Sequence, residues 1–141
     1  MENNYELLKK RAEEILGQCN DVVLCSVSHD EFPRPCVVAK VKTAGCSTIY
    51  MSTGTFGTKV AHFRENSKAG LCFYHGGDSV TMTGNVEIID DMEMKKACWL
   101  DWFIDHFPLG VEDPTYCILK FTAEEATFYI DQIFETHKFT D

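Results

Sequence analysis

The stretch VTMTGNVEII, residues 80–89, is the clearest strand in this sequence. Apolar residues occupy alternate positions from Val80 to Ile88, interrupted only by Gly84, and polar residues fill the positions between them. This two-residue period is typical of a strand with one buried face. Because a glycine in mid-strand often marks a bulge or a bend, Gly84 indicates a sheet that coils towards a barrel.

Short runs with the composition of strands lie on both sides of this stretch. They are Val22–Ser28, Cys36–Lys42, Thr48–Thr53, Ala69–His75, Tyr116–Thr122 and Thr127–Asp131, the last two around a turn at Ala123–Glu125. Most connections between them are too short for the crossovers that parallel strands need. We therefore predict a mainly β fold, a small antiparallel barrel of six or seven strands with flanking α-helices.

Three helical segments accompany the predicted strands. An apolar stripe at helical spacing predicts an amphipathic N-terminal helix over residues 3–17. A short helix follows near residues 56–63, and Asp91–Phe107 is predicted to be a longer helix that carries an aromatic residue every fourth position. The length fits a single domain over residues 1–141, with the barrel at about 21–131.

Composition excludes several classes of function. The 141 residues include 13 basic and 22 acidic side chains, and the resulting net charge of −9 argues against nucleic acid or an anionic membrane as a partner. A hydrophobic fraction of 45% is too high for a disordered chain. No apolar run approaches the ~20 residues of a membrane span, and the first residues lack the apolar centre of a signal peptide.

The seven cysteines point to a reducing compartment. Their number is odd, so they cannot all pair within the chain, and no CxxC spacing predicts a metal site. We therefore expect mostly buried free thiols in a cytoplasmic protein. A redox or nucleophilic cysteine stays open as an alternative, with Cys36 and Cys46 the most accessible candidates.

One part of this acidic chain is basic. Residues 33–70 carry a net charge of +5, from a single acidic residue, Glu65, and six basic ones: Arg34, Lys40, Lys42, Lys59, Arg64 and Lys68. Such a segment predicts a compact site for a small anion, while the acidic remainder disfavours polyanions. Chance clustering on a solvated face is the alternative.

The stretch YMSTGTFGTK, residues 50–59, is the strongest candidate for that anion site. A strand ends in hydroxyl residues, a loop with two glycines follows, and a helix begins near Thr58 and Lys59. The unpaired N–H groups of a helix start bind phosphate well, and nearby hydroxyls and a lysine add donors and charge. Alternatively, Thr58 only caps the helix. Lys40 and Lys42 belong to the same anion site only if their face of the preceding strand lines a cleft.

Four segments carry a resemblance to a known family. They are DVVLCSVSHDEFPRP (21–35), IYMSTGTFGTKVAHFRENSKAGLCFY (49–74), VTMTGNVEIIDD (80–91) and YCILKFTAEEATFYI (116–130). Their order and spacing over roughly residues 5–131 resemble the pyridoxamine 5′-phosphate oxidase-like superfamily, in particular its short general-stress-protein group. The resemblance implies a split β-barrel that forms a homodimer with FMN in clefts between the subunits.

The resemblance also implies which residues bind the cofactor. The matching positions are Arg34, Val37, Val38, Lys40, Lys42, Ser52, Thr53, Thr58, Lys59 and Ser79. Among them, Thr58 and Lys59 match the positions that hold the phosphate. For the substrate pocket the candidates are Trp99, Trp102 and Phe103, one of which would cover the flavin from the partner subunit; packing in the core or in the dimer interface is their alternative role.

Departures from the family pattern argue against two of the activities known in the family. Gly57 stands where a serine is common, and Ser79 is shorter than the usual flavin-contacting residue. The chain ends ETHKFTD, which does not match the substrate-holding segment of true pyridoxamine phosphate oxidases, and Tyr50-Met51-Ser52 lacks the histidine of nitroimidazole reductases. We expect an FMN-dependent oxidoreductase with a small substrate. A non-catalytic flavin-binding or stress-response protein and a haem- or deazaflavin-binding relative are the alternatives.

Overall fold

Seven antiparallel strands form one sheet in the computed structural model, which describes residues 4–139. The strands are β1 (Asp21–Val27), β2 (Pro33–Ala44), β3 (Thr48–Gly54), β4 (Lys68–His75), β5 (Asp78–Ile89), β6 (Tyr116–Ile130) and β7 (Ile133–Lys138). Their order is β3-β2-β1-β4-β5-β6-β7, and an additional pairing of β3 with β6 closes the first six strands into a barrel. The predicted mainly β barrel is confirmed, with β7 as an extra strand outside the closed ring.

The helices are short and lie around this barrel. They are α1 (Asn4–Gly17), α2 (Thr58–Glu65), α3 (Met92–Ala97) and two 3₁₀ helices at Asp101–Asp105 and Gly110–Glu112. The helix predicted over 3–17 corresponds to α1, with residue 3 outside the described residues. Within residues 4–139, no helix is long and apolar enough to cross a membrane.

The interior of the barrel is the main apolar core. Side chains from all of β1–β6 fill it, and Leu24, Ile49, Met51, Val80 and Phe128 are among those with essentially no exposed surface. The apolar stripe of α1 is buried against the same core, so this helix covers part of the barrel. This burial is what makes the amphipathic helix stable, since a 14-residue helix is marginal in isolation.

Strand β6 is a single strand of 15 residues, so the predicted division into two strands around a turn is wrong. Thr83 lies opposite Glu125 and Gly84 lies opposite Ala123, which leaves Glu124 as the extra residue of a β-bulge. The polar residues that indicated a turn are accommodated by this bulge, which bends the strand without ending it.

Strand β7 was not among the predicted elements. It pairs with the second half of β6 through a two-residue turn at Asp131 and Gln132, whose φ angles are +52° and +69°. Two positive φ angles are the mark of a hairpin turn that matches the twist of the strands. The alternation of half-buried and exposed residues from Ile133 to Lys138 is the signal that sequence reasoning passed over.

The predicted helix Asp91–Phe107 is also wrong as a single element. Helix α3 ends at Ala97, the chain is extended at Leu100, and a 3₁₀ helix follows. The break allows aromatic rings to surround one buried residue instead of forming a stripe. The ring of Tyr116 has the rings of Trp99, Phe103 and Phe107 at centroid distances of 5.3, 6.0 and 5.1 Å. This second apolar cluster is separate from the core inside the barrel.

The bulge in β6 depends on the absence of a side chain at Gly84. A Cβ atom there would collide with the carbonyl oxygen of Thr122 and lie 2.8 Å from the Cα of Ala123. Both neighbours are backbone atoms, so the strands would have to move apart. We expect Gly84→Ala to lower the free energy of unfolding by about 1–3 kcal/mol, as overpacking does, in urea unfolding followed by circular dichroism.

Gly77→Ala is the matched control for this substitution. Gly77 lies in the turn between β4 and β5, and a Cβ atom there meets nothing within 4 Å. Its variant should unfold within about 0.5 kcal/mol of the parent protein, as a surface substitution does. Equal stability of the two variants would show that the sheet does not need the close approach at Gly84.

Candidate functional site

Two neighbouring pockets meet at Lys59. We call the first the aromatic pocket, a cavity of about 250 Å³ between β2, the end of β3 and the segment after α3. Its lining consists of Val37, Val38, Ala39, Ser52, Thr53, Gly54, Phe56, Lys59, Trp102, Phe103, His106 and Phe107. Backbone of two paired strands forms one side of this pocket, and aromatic rings form the other. Such a space fits a flat, apolar ring system.

The second space, which we call the anion pocket, has a volume of about 390 Å³ and lies at the start of α2. Its lining consists of Ser26, Pro33, Arg34, Pro35, Cys36, Thr58, Lys59 and His62. Strands β1 and β2 supply the first five of these residues, and α2 supplies the other three. Among the described residues, no aspartate or glutamate lines either pocket.

The start of α2 is open to a ligand. Gly57 is the N-cap residue and makes no side-chain capping hydrogen bond, so the backbone N–H groups of the first turn have no such partner. Thr58 is the first residue of the helix, which excludes the alternative that it is the cap. A Cβ atom on Gly57 would lie 3.6 Å from Lys59 Nζ, which places the ammonium group beside the helix start.

The two cations of the anion pocket differ in whether a carboxylate pairs with them. Within residues 4–139, no carboxylate lies within 4 Å of the Lys59 ammonium group. Arg34 is paired: its guanidinium group lies 3.3 Å from a carboxylate oxygen of Asp30, and its Nε donates to the Ser28 hydroxyl at 3.1 Å. Lys59 is therefore the cation most available to a ligand.

The thiol of Cys36 also lines the anion pocket. Burial raises its pKa, and the positive charge of Lys59 partly opposes that effect. Its Sγ contacts the backbone oxygen of Leu24 at 3.4 Å. A raised pKa favours the protonated thiol, which is the less reactive form. Cys46, the other accessible candidate from the sequence, is buried, and burial raises its pKa to about 11.

Ser26 and His62 form a contact that sequence reasoning missed. The Ser26 hydroxyl lies 2.8 Å from His62 Nδ1, and only 1% of the Ser26 surface is exposed. Ser26 belongs to β1 and His62 to α2, so the pair forms only when the helix packs against the strand. No spacing in the sequence indicates it.

Lys40 and Lys42 lie outside both pockets. A β-bulge between them in β2 places Lys40 opposite Met51 and Lys42 opposite Tyr50. Lys40 Nζ donates to the backbone oxygen of Leu16 at 2.6 Å, so it stabilises the C-terminal end of α1, where a cation is favoured. The ammonium group of Lys42 lies 5.7 Å from the centroid of the Tyr50 ring.

Most of the other predicted site residues line one of the two pockets, and two of them, Ser79 and Trp99, do not. Arg34, Val37, Val38, Ser52, Thr53, Thr58, Lys59, Trp102 and Phe103 line the two pockets. Ser79 lies opposite Tyr74 and Tyr129 in the sheet and lines neither pocket. The ring of Trp99 packs edge-on against the ring of Phe103, with their centroids 5.4 Å apart, and so supports a ring that lines the aromatic pocket. Lining residues that the sequence did not single out include Phe56, His106 and Phe107.

Hydrogen bonds to the buried Asp113 order the loop that follows the aromatic segment. The Asp113 carboxylate accepts hydrogen bonds from the hydroxyl and backbone N–H of Thr115 and from the backbone N–H of Leu109, and these bonds lower its pKa. Thr115 in turn accepts from the Thr55 backbone N–H at 2.7 Å. The loop before α2 and the loop after the aromatic segment are thereby joined.

The family can be assigned once this geometry is known. Residues 8–130 match the family model described as pyridoxamine 5′-phosphate oxidase. This chain belongs to the pyridoxamine 5′-phosphate oxidase family. Members of this family typically bind FMN. A search of curated proteins finds no match to the chain.

Solved structures with the same fold include several family relatives. A protein from Clostridium acetobutylicum, related to general stress protein 26 of the pyridoxinephosphate oxidase family, has a TM-score of 0.84 and 26% identity, over 94% of this chain and 95% of that one. An FMN binding, pyridoxamine 5′-phosphate oxidase-related protein from Nostoc punctiforme has a TM-score of 0.68 and 12% identity, over 98% and 95% of the two chains. A heme binding protein from Mycobacterium smegmatis has a TM-score of 0.76 and 11% identity, over 93% of this chain and 57% of that one.

Proposed function

We propose that this protein is an FMN-binding oxidoreductase that acts on a small planar substrate. One observation carries the proposal: a cationic pocket at an uncapped helix start adjoins an aromatic pocket, and the two share Lys59. FMN has the matching shape, with a phosphate group at one end and a flat three-ring system at the other. The family assignment and the FMN-binding relative support the same ligand.

The residues of the anion pocket fit a phosphate monoester. Lys59 has no carboxylate partner within residues 4–139, the Thr58 hydroxyl lines the same pocket, and the helix start adds backbone donors. Phosphate is favoured at such a place by the backbone N–H groups and by the helix dipole. Because Arg34 is held by Asp30, we assign it the smaller share of phosphate binding.

The residues of the aromatic pocket fit the isoalloxazine ring. Backbone and small side chains of β2 and β3 provide a flat side, where Ala39 lies opposite Ser52. Trp102 and Phe103 provide an apolar side that excludes water. Bound FMN supplies the hydride or electron transfer, while the chain supplies binding, orientation and electrostatics.

We propose further that two copies of the chain enclose the cofactor. Three side chains of the aromatic pocket are largely exposed in a single chain: 69% of Val37, 79% of Phe56 and 51% of Trp102. Apolar groups clustered at the rim of a cleft are typical of a surface that a partner covers. A second copy related by a twofold axis would cover both clefts at once.

A reducing compartment, the cytoplasm, belongs to the same proposal. All seven cysteines are free thiols, including the buried Cys46, Cys98 and Cys117. Burial raises the pKa of each of these three thiols, which keeps them protonated and unreactive.

Haem binding is the second candidate function. His106 lines the aromatic pocket, and an imidazole is a common axial ligand of haem iron. The heme binding relative shares the fold at 11% identity. Haem also carries anionic groups, its two propionates, so the anion pocket alone does not distinguish the two ligands; the family assignment favours FMN.

Absorption spectra of the purified protein distinguish these candidates. We expect flavin bands after addition of FMN and removal of the free cofactor, and bleaching of those bands by NAD(P)H if the protein turns over. Bands that persist with both donors would support a flavin-binding protein without turnover. A haem band together with no flavin binding would contradict the proposal and support the second candidate.

Lys59→Ala tests the phosphate contact. Lys59 is the only cation among residues 4–139 that lines both pockets, and its removal should weaken FMN binding by about 1–3 kcal/mol, the usual range for a charge-assisted contact. The dissociation constant can be measured from the quenching of FMN fluorescence. Lys68→Ala removes an exposed cation of the same basic segment, on β4, and should leave the constant unchanged. Equal constants for the two variants would remove Lys59 from the site.

Phe56→Ser tests the dimer. Burial of a phenylalanine contributes about 1.5–3 kcal/mol, and a twofold dimer would contain two copies of Phe56. In sedimentation experiments the dimer of the variant should therefore be dissociated at protein concentrations at which the parent is still a dimer. Phe134→Ser is the control, because Phe134 on β7 is 69% exposed and lines neither pocket. A monomeric parent protein would contradict the proposed dimer.

A further inference from the structure

We propose that His62, held in place by Ser26, donates a hydrogen bond to the phosphate group in the anion pocket and makes phosphate affinity dependent on pH. This inference rests on the proposed function and adds a specific regulation to it. The Nε2–H of His62 would donate to the phosphate, and protonation of the imidazole would add a positive charge to that contact. Ser26 would act as a positioning residue.

The placement of the two residues supports this role. His62 lies one helical turn after Thr58, on the face of α2 that also carries Lys59. All three side chains line the anion pocket. His62 Nδ1 is taken by the Ser26 hydroxyl at 2.8 Å, and the described part of the chain offers no hydrogen-bond partner to Nε2. Nε2 is thus the nitrogen that remains for a ligand.

Ser26 determines which nitrogen carries the proton. A serine hydroxyl can donate or accept, and its burial leaves it few partners other than the imidazole. When the hydroxyl donates to Nδ1, neutral His62 carries its proton on Nε2 and can donate it to an anion. When the imidazole is protonated, the hydroxyl accepts from Nδ1 and Nε2 still donates. In both states Nε2 remains a donor.

The charged and titratable groups around His62 include no carboxylate that would compete with a phosphate for the imidazole, within residues 4–139. Those in the same pocket are Lys59, Arg34 and Cys36. On α2 itself, Glu65 lies 3.7 Å from His29, and Arg64 is exposed. The strands packed against α2 are β1, with Asp21 and Cys25, and β5, with Asp78 and Glu87. Within residues 4–139, none of their carboxylates lies within 4 Å of His62.

Two titrations contribute to the expected pH dependence, with opposite signs. As pH falls from about 8 to about 6, an imidazole gains a positive charge and binds an anion more tightly. Over the same range a phosphate monoester loses one of its two negative charges, because its second pKa is near 6. The ligand's own titration is common to every variant. A comparison of parent and His62 variant at each pH therefore isolates the histidine.

Binding of FMN and of riboflavin provides the test. Riboflavin has the same ring system without the phosphate, so the ratio of the two affinities reports on the anion pocket alone. The ratio would be measured at pH 6, 7 and 8 for the parent, His62→Gln and Ser26→Ala. His75→Gln is the matched control, since His75 is exposed at the end of β4 and lines neither pocket.

We expect His62→Gln to lower the affinity ratio about tenfold at pH 6, and only a few-fold at pH 8, as charged and neutral hydrogen bonds do. Ser26→Ala should show a smaller loss with the same pH trend, and riboflavin affinity should be unchanged in both variants, which shows that the ring site is intact. The ¹⁵N resonances of the His62 ring should show the Nε2–H form in the parent and a mixture in Ser26→Ala.

Three results would overturn the inference. If FMN binds and the ratio in His62→Gln follows the parent at every pH, then His62 only packs against Ser26, and the proposed function stands without it. If neither FMN nor riboflavin binds the parent protein, both the proposed function and this inference fail. Equal losses for FMN and riboflavin would also overturn it, because they would show a structural effect and not a phosphate contact.

Discussion

Both pockets depend on the pairing of β3 with β6. This pairing closes the barrel and places Gly54, the last residue of β3, opposite Tyr116, the first residue of β6. The chain leaves β3 at that point and enters α2, so the helix start lies next to the aromatic cluster around Tyr116. An open sheet would leave these two features far apart, because four strands separate β3 from β6 in the strand order.

The same closure makes β6 the longest strand of the fold. Its first half pairs with β3 on one side and β5 on the other, and its second half pairs with β5 and β7. One strand can serve two sets of neighbours only if it bends between them, and the bulge at Glu124 provides the bend. Gly84 is the residue that permits the two backbones to approach there.

Charge distribution decides what the cleft can accept. The chain as a whole has a net charge of −9, yet among the described residues no carboxylate lines either pocket. Of the lysine and arginine side chains that the structure places in the anion pocket, Arg34 is paired with Asp30, so Lys59 is the one most available to a ligand. Lys40 lies elsewhere, at the end of α1. A single available cation beside a helix start suits one phosphate group better than a polyanion.

Sequence reasoning was accurate where local physics decides the structure. The alternation in 80–89 predicted β5, and the glycine-containing stretch 50–59 predicted a strand, a loop and a helix start. It failed where contacts distant in sequence decide. The division of β6, the single helix at Asp91–Phe107 and the absence of β7 were errors of this kind, since a bulge, a ring of aromatic packing and a two-residue turn replaced the expected elements.

The sequence by itself determined the fold class and the place of the candidate anion site, because strand periodicity and the glycine-bearing helix start are properties of neighbouring residues. Only the tertiary structure decided which residues meet in the cleft. The bulge in β2 sends Lys40 and Lys42 away from it, and the packing of α2 on β1 brings Ser26 to His62. Register shifts and helix–strand packing are fixed by the whole barrel, so no local pattern can reveal them.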